Sequence, residues 1–457
     1  YTPNDGTYSY VGGVGGNDFV ISIQGSGIVG ASGTAADENF WLVKRDDGGT
    51  EVITLYEGVT INFVGGAITV SGGSILDQWN AAGGGNPVTF VVVDGGGGND
   101  KLVVDYTGLD GLEDVNVAFQ GGGAGSGSEL FVKGGDENPD FGKVVYEYID
   151  AHNGLIENFS DAAGTNLQSF VLYLGLAPIT STVNATNVVL DYTGAAEDIT
   201  VTPGSAAGQT NAVSTLGENT TFNNPTGSLT IQTGNGSGAD TVNIEGVGSG
   251  FDADLTIDAD NDDTVHFQTT ATDIGNGNLT ADAQTINVNA VVTTAGTGTI
   301  GLTATDQLEV SAAGSLTAEN GSVTLAGNTN GVGIAGDVTT NDGAIGIAGN
   351  SGSDDGVEIS GGAVINSTGI GGITIFGTST TTTGDNDGVK VTGVGTQITS
   401  STGGDISITG TSSADDGIEV SGGAVVSAAN TVSITFGGTP GTGMIDRDIA
   451  RDGFYLL

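Results

Sequence analysis

Three stretches near the C-terminal end decide how this chain reads. From Asp354 it runs DDGVEISGGAVINSTGIGGITIFGTS, from Asn386 NDGVKVTGVGTQITSSTGGDISITGTS, and from Asp415 DDGIEVSGGAVVSAANTVSITFGGTP. Asp355, Asp387 and Asp416 mark one place in each copy, 32 and then 29 residues apart. Within a copy, apolar and polar residues alternate in short runs between glycine-rich turns, the period-two pattern of strands with one buried face. A single copy cannot bury its own apolar face, whereas stacked copies supply a common core. The repeat therefore predicts an all-β fold, a parallel β-helix or β-solenoid with one copy per coil. The inward residues are then Val357, Ile359, Ile373 and Ile375, Val389, Val391, Ile406 and Ile408, and Ile418, Val420, Val432 and Ile434.

Working outward, similar runs reach back through Thr241-Val-Asn-Ile244 and Leu255-Thr-Ile257 to Leu229-Thr-Ile231. The expected organisation is β-solenoid coils of about 30 residues over 201–440, with a cap or linker at 441–457. Residues 1–200 read as an irregular β-rich region, either the same solenoid with longer excursions or a separate β domain. Within it LVVDYTG at Leu102–Gly108 echoes VVLDYTG at Val188–Gly194. One helix is expected over Ile75–Ala82, with Ser74 as its N-cap and Gly83 past its end. A second is a possibility around Ile445 and Ile449.

The composition removes several classes of function. The 457 residues include 54 acids against 8 bases, a net charge of −46, and 84 glycines. Such a surface repels phosphate, so nucleic acid is not expected as a partner. Cysteine is absent, which excludes disulfide and zinc–thiolate scaffolds. No apolar run is long enough for a membrane-spanning helix. The 37% hydrophobic content and its alternation argue against disorder. The opening Tyr1-Thr-Pro-Asn4 lacks an initiator Met and reads as a piece of something longer.

The stacked repeats also place acids. In register, Asp355, Asp387 and Asp416 form one column, and Asp354, Asn386 and Asp415 a neighbouring one. Like charges about 5 Å apart repel by roughly 1 kcal/mol per pair in water. A calcium ion, which takes carboxylate and carbonyl oxygens, would remove that repulsion; backbone capping of the turns by the same Asp side chains is the alternative. Asp258, Asp260 and Asp262 begin like a calcium loop, but Asp263 and Thr269 stand where a helix-flanked loop needs Gly and Glu. An irregular calcium turn stays open there. Lys390 is expected in a surface ladder between Glu358 and Glu419. His266 is expected to point outward between Val265 and Phe267.

Residues 227–244, Asp254-Leu-Thr-Ile257 and the Asp-Asp-Gly repeats to about Gly438 resemble the repeat regions of large bacterial surface proteins, of filamentous-haemagglutinin or autotransporter-passenger type. That resemblance implies a right-handed β-helix, secretion and an adhesive or structural role at the bacterial cell surface. Gly95-Gly-Gly-Gly-Asn-Asp100-Lys-Leu-Val103 is similar to a calcium-binding nonapeptide repeat, which implies a calcium role for Asp100. Gly12–Phe19 fits that pattern only with Asn17 at the Asp place. Asp354-Asp355-Gly356 and Asp415-Asp416-Gly417 superficially resemble the paired aspartates of polygalacturonases, but that family's Gly-His-Gly and Arg-x-Lys do not occur. His152 and His266 stand alone, and Val144 to Val389 holds no Lys or Arg.

The expectation is a secreted, non-catalytic structural or adhesive element with calcium as its one candidate cofactor. Its expected partners are copies of itself, neighbouring modules of a longer surface protein, or glycans and host or cell surfaces. A self-assembling extracellular filament or surface-layer subunit is the alternative, and a polysaccharide-degrading β-helix enzyme a second.

Overall fold

The computed structural model describes residues 8–12, 19–23, 27–81, 87–107, 111–122, 127–135, 140–233, 238–382 and 384–438. Among them every regular element is a β-strand. The chain divides into two compact units, one of Tyr1–Glu197, Pro203–Leu229 and Asn235–Ser237, the other of Asp198–Thr202, Thr230–Gly234 and Gly238–Leu457.

In the second unit the strands fall into three tracks, each pairing in parallel with strands one coil away. The first sets Leu255, Leu279, Ile300, Val323, Ile345, Ile373, Ile406 and Val432 in line. The second sets Val242, Val265, Ile286, Leu308, Val332, Val357, Val389 and Ile418 in line. The third, a parallel sheet of its own, carries Val292, Leu316, Val338, Ile365, Ile398 and Val426. All are buried except Val432. Each such side chain contributes roughly 1.5–3 kcal/mol. A slip by one residue would turn Thr or Ser inward along a whole strand, so these ladders hold the register.

The predicted inward residues are buried from Val357 through Val420, while Val432 and Ile434 in the last described coil stay half-buried. Coil length is more variable than a 30-residue repeat. Aligned residues stand 21 apart from Val265 to Ile286, 22 to Leu308, 24 to Val332 and 25 to Val357. They then stand 32 apart to Val389 and 29 to Ile418. Only the ladders must match between coils, so extra residues are absorbed in turns.

One corner demands glycine. Gly349, Gly377 and Gly410 lie in line, and a Cβ on each would come 1.8, 1.9 and 1.8 Å from the carbonyl oxygens of Gly356, Gly388 and Gly417. Backbone passes backbone there with no room for a side chain.

The first unit is mixed. Parallel ladders run through Phe40, Leu102, Leu130, Ile179 and Thr220 and through Val29, Val91, Val117 and Val171. Antiparallel meanders interrupt them, Asn39–Asp46 with Glu51–Val64 and Ala67–Asn80, and Phe141–Asp150 with Asn153–Phe159 and Leu167–Leu174. Its core holds large buried aromatics, among them Tyr146, Tyr148, Tyr173, Tyr192 and Phe119.

The helix expected from Ile75 is not formed. Ile75 pairs with Tyr56 and Gln78 with Thr54, at the end of the strand Ala67–Asn80. The partner strand offers this segment a ladder of backbone hydrogen bonds that outweighs one weak capping signal. Ala82, Gly83, Asn17, Ile445 and Ile449 lie outside the described residues.

Candidate cation-binding corner

The residue two before each of the second-track apolar residues holds the same place on successive coils. Read along the stack, these residues are Asp240, Asp263, Gln284, Asp306, Asn330, Asp355, Asp387 and Asp416. Their first task is to satisfy backbone. Asp263 accepts hydrogen bonds from the N–H of Asp240 at 2.7 Å and of Asp260 at 2.7 Å, and from the Thr233 hydroxyl at 2.6 Å. Asn330 Nδ2 donates to Asp306 Oδ1 at 2.6 Å, and Asp387 N donates to Asp355 Oδ1 at 2.5 Å. The turn-capping alternative is therefore part of the answer at this corner.

In the last coils acids exceed donors. Lys390 Nζ stands 3.8 Å from Asp355, 3.7 Å from Asp387 and 3.4 Å from Glu419. Its strand register between Glu358 and Glu419 is as expected, but the lysine is only 19% exposed and turns toward the buried aspartates. The expected Glu–Lys–Glu surface ladder is corrected in that respect. Its long stem reaches the corner, where a charge between poorly solvated carboxylates gains more than one at the open surface.

A carboxylate oxygen each from Asp387, Asp415 and Asp416 lie within 4.8 Å of one another, the one such acidic trio among the described residues. Asp387 is buried, and its Oδ2 accepts no hydrogen bond. Burial, a hydrogen bond to Glu419 and the charge of Asp355 push its carboxyl well above the usual range. Burial likewise pushes Asp355 up to about 6, offset in part by the Asp387 N–H and by Lys390. A hydrogen bond with Asp385, then burial, raises Asp415.

The corner thus joins two of the three acids expected in the column with Asp415 from the neighbouring one. Asp355 is drawn aside by the Asp387 backbone. Asp354 N donates to Ser351 Oγ at 2.8 Å, and Asn386 Nδ2 donates to Ser353 O at 3.2 Å. Asp258, Asp260 and Asp262 do not form a metal-sized trio, because the buried acid that organises their turn is Asp263. Asp100, in the other unit, is fully buried, accepts from Glu38 N at 2.9 Å and is pushed up to about 6 by burial. The glycine loop before it hydrogen-bonds the preceding turn, Gly97 N to Thr34 O at 2.9 Å and Asn99 N to Asp37 Oδ1 at 2.9 Å. His266 alternates with buried Val265 and Phe267 as expected, and burial lowers its basicity.

Sequence reasoning passed over Glu218. Its side chain is 2% exposed, with Oε1 3.5 Å from His152 Nδ1. That nitrogen also lies 2.8 Å from the Leu176 carbonyl oxygen, so it carries the proton. Burial, then Asp150, pushes Glu218 up to about 8. Nothing local in Gly217-Glu218-Asn219 signals this, since the residues that bury it come from elsewhere in the unit.

Comparison with family models, curated proteins and solved structures finds no match. No helix among the described residues is long and apolar enough to cross a membrane.

Proposed function

We propose that this chain is a non-catalytic structural element of a secreted bacterial surface protein, a right-handed β-solenoid that spaces or presents adhesive modules. The observation that carries the reading is the stack of parallel coils described between Asp254 and Gly438, whose polar side chains bond the next coil. Asp254 Oδ1 accepts from Asn278 Nδ2 at 2.9 Å, and Asn278 Oδ1 in turn accepts from Thr299 Oγ1 at 2.9 Å. Thr399 Oγ1 donates to Asn366 at 2.9 Å on another track. Polar groups engaged in this way hold coils together. The acidity and the surface-protein resemblance support the extracellular setting.

A second reading, a self-assembling filament or surface-layer subunit, is favoured by the last described coil. Its strands Val425–Ala428 and Val432–Gly438 have no pairing partner on their outer edge among the described residues, and Val425 and Phe436 are exposed. Open edges of this kind pair with other chains. Electron microscopy of the purified chain distinguishes the two. Separate particles of one size are expected, and ordered assemblies would replace the first reading by the second. Release of reducing ends or unsaturated products from a polysaccharide panel would overturn both.

A further inference from the structure

We propose that Asp387, Asp415 and Asp416 form a calcium site that fastens two adjacent coils of the second unit. This goes beyond the structural role and does not depend on the protein's location.

Three independent features meet at this corner. The geometry is the first. Calcium binds oxygens at about 2.3–2.6 Å, so ligands on opposite sides of one ion lie about 4.6–5.2 Å apart. The oxygens of the trio lie within 4.8 Å of one another. Asp387 belongs to the coil of Val389 and the other two to the coil of Ile418, which pair in parallel. An ion held by all three therefore bridges coils.

The second feature is an unsatisfied oxygen. Asp387 has a side chain 1% exposed, and its Oδ2 accepts no hydrogen bond. The ammonium of Lys390, at 3.7 Å, is outside hydrogen-bond range and is shared with Asp355 and Glu419. A buried acceptor left in this way is costly unless something donates to it or coordinates it.

The third is the order of residues in the column. From Asp263 to Asp355 acids alternate with amides, Gln284 and Asn330 separating the carboxylates. Then three acids follow in succession, Asp355, Asp387 and Asp416, flanked by Asp354, Asp385, Asp415, Glu358 and Glu419, against the one cation Lys390. Elsewhere in this stretch the amides dilute the charge, whereas here Lys390 alone stands against these acids.

The test is calorimetric titration of the chelator-treated full chain with calcium chloride at pH 8, with thermal melting alongside. One saturable site is expected, with a higher melting temperature when calcium is bound. Asp415→Asn, at a partly exposed turn, should fold normally and weaken the site about tenfold, as should Asp416→Asn. The single variant Asp262→Asn, which removes the same charge, and the double variant Asp260→Asn with Asp262→Asn should leave it unchanged. Absence of a saturable site, or an equal loss in the Asp260/Asp262 variant, would overturn the proposal. Magnesium binding as tightly as calcium would overturn the assignment of the ion.

Discussion

Replacing Glu218 by Gln should make the first unit more stable at neutral pH, an unusual outcome for a buried polar side chain. The folded carboxyl is pushed from 4.5 up to about 8, chiefly by burial and then by Asp150. Between these values the unfolded chain carries the carboxylate and the folded chain the acid. The folded state then binds more protons, so stability falls as pH rises, by about 1.36 kcal/mol per pH unit. From pH 4.5 to pH 7 that is about 3 kcal/mol, and the decline levels off above about pH 8. The Glu218→Gln variant keeps the shape of the neutral acid and cannot ionise. It should match the parent within about 1 kcal/mol at pH 4.5 and exceed it by about 3 kcal/mol at pH 7. Urea unfolding followed by tryptophan fluorescence measures this directly, because Trp41 and Trp79 both lie in the first unit. Asp100, in the same unit, and Asp355 also have raised carboxyls and give the parent some decline of its own, so the difference between the two proteins is the quantity that matters. A difference that stays constant across pH would refute the reasoning.

Lys390→Met leaves Asp355, Asp387 and Glu419 without their shared cation. It should lower stability by about 1–3 kcal/mol at pH 8, measured by urea unfolding followed by circular dichroism. The loss should shrink at pH 5, below the value of about 6 to which Asp355 is pushed, because Asp355 and Asp387 are then neutral and only Glu419, whose carboxyl is lowered, still pairs with the lysine. Gly377→Ala would place a methyl 1.9 Å from the Gly388 carbonyl oxygen and should cost about 3 kcal/mol or more. Gly346→Ala, with nothing within 4 Å of the new carbon, is its control, and protease nicking of the two variants should separate them.

Much of the second unit could be read from the chain because strand parity is a local, two-residue property. Val357 to Val420 fall inward as the alternation requires, and Glu358, Lys390 and Glu419 stand in line as the repeats require. Coils of 21–25 residues were hidden, since they share ladders with the longer coils but little sequence. Ile75 misled because a cap and a few helix-tolerant residues are weak beside a partner strand supplied from Glu51–Val64.

What the sequence by itself determined is therefore the alternation, the glycine-marked turns and the excess of acid at one position of the late repeats. Only the tertiary structure decided which acids meet. Asp415 joins Asp387 and Asp416 because the backbone of the next coil takes Asp355 for itself. Lys390 keeps its expected place beside Glu419 and adds Asp355 and Asp387 because its stem is long enough to reach buried carboxylates. Glu218 holds its proton because groups distant in the chain remove its water. Solvation and charge depend on neighbours in space, here brought from 21 to 32 residues away between successive coils, and a period of two residues carries no record of them.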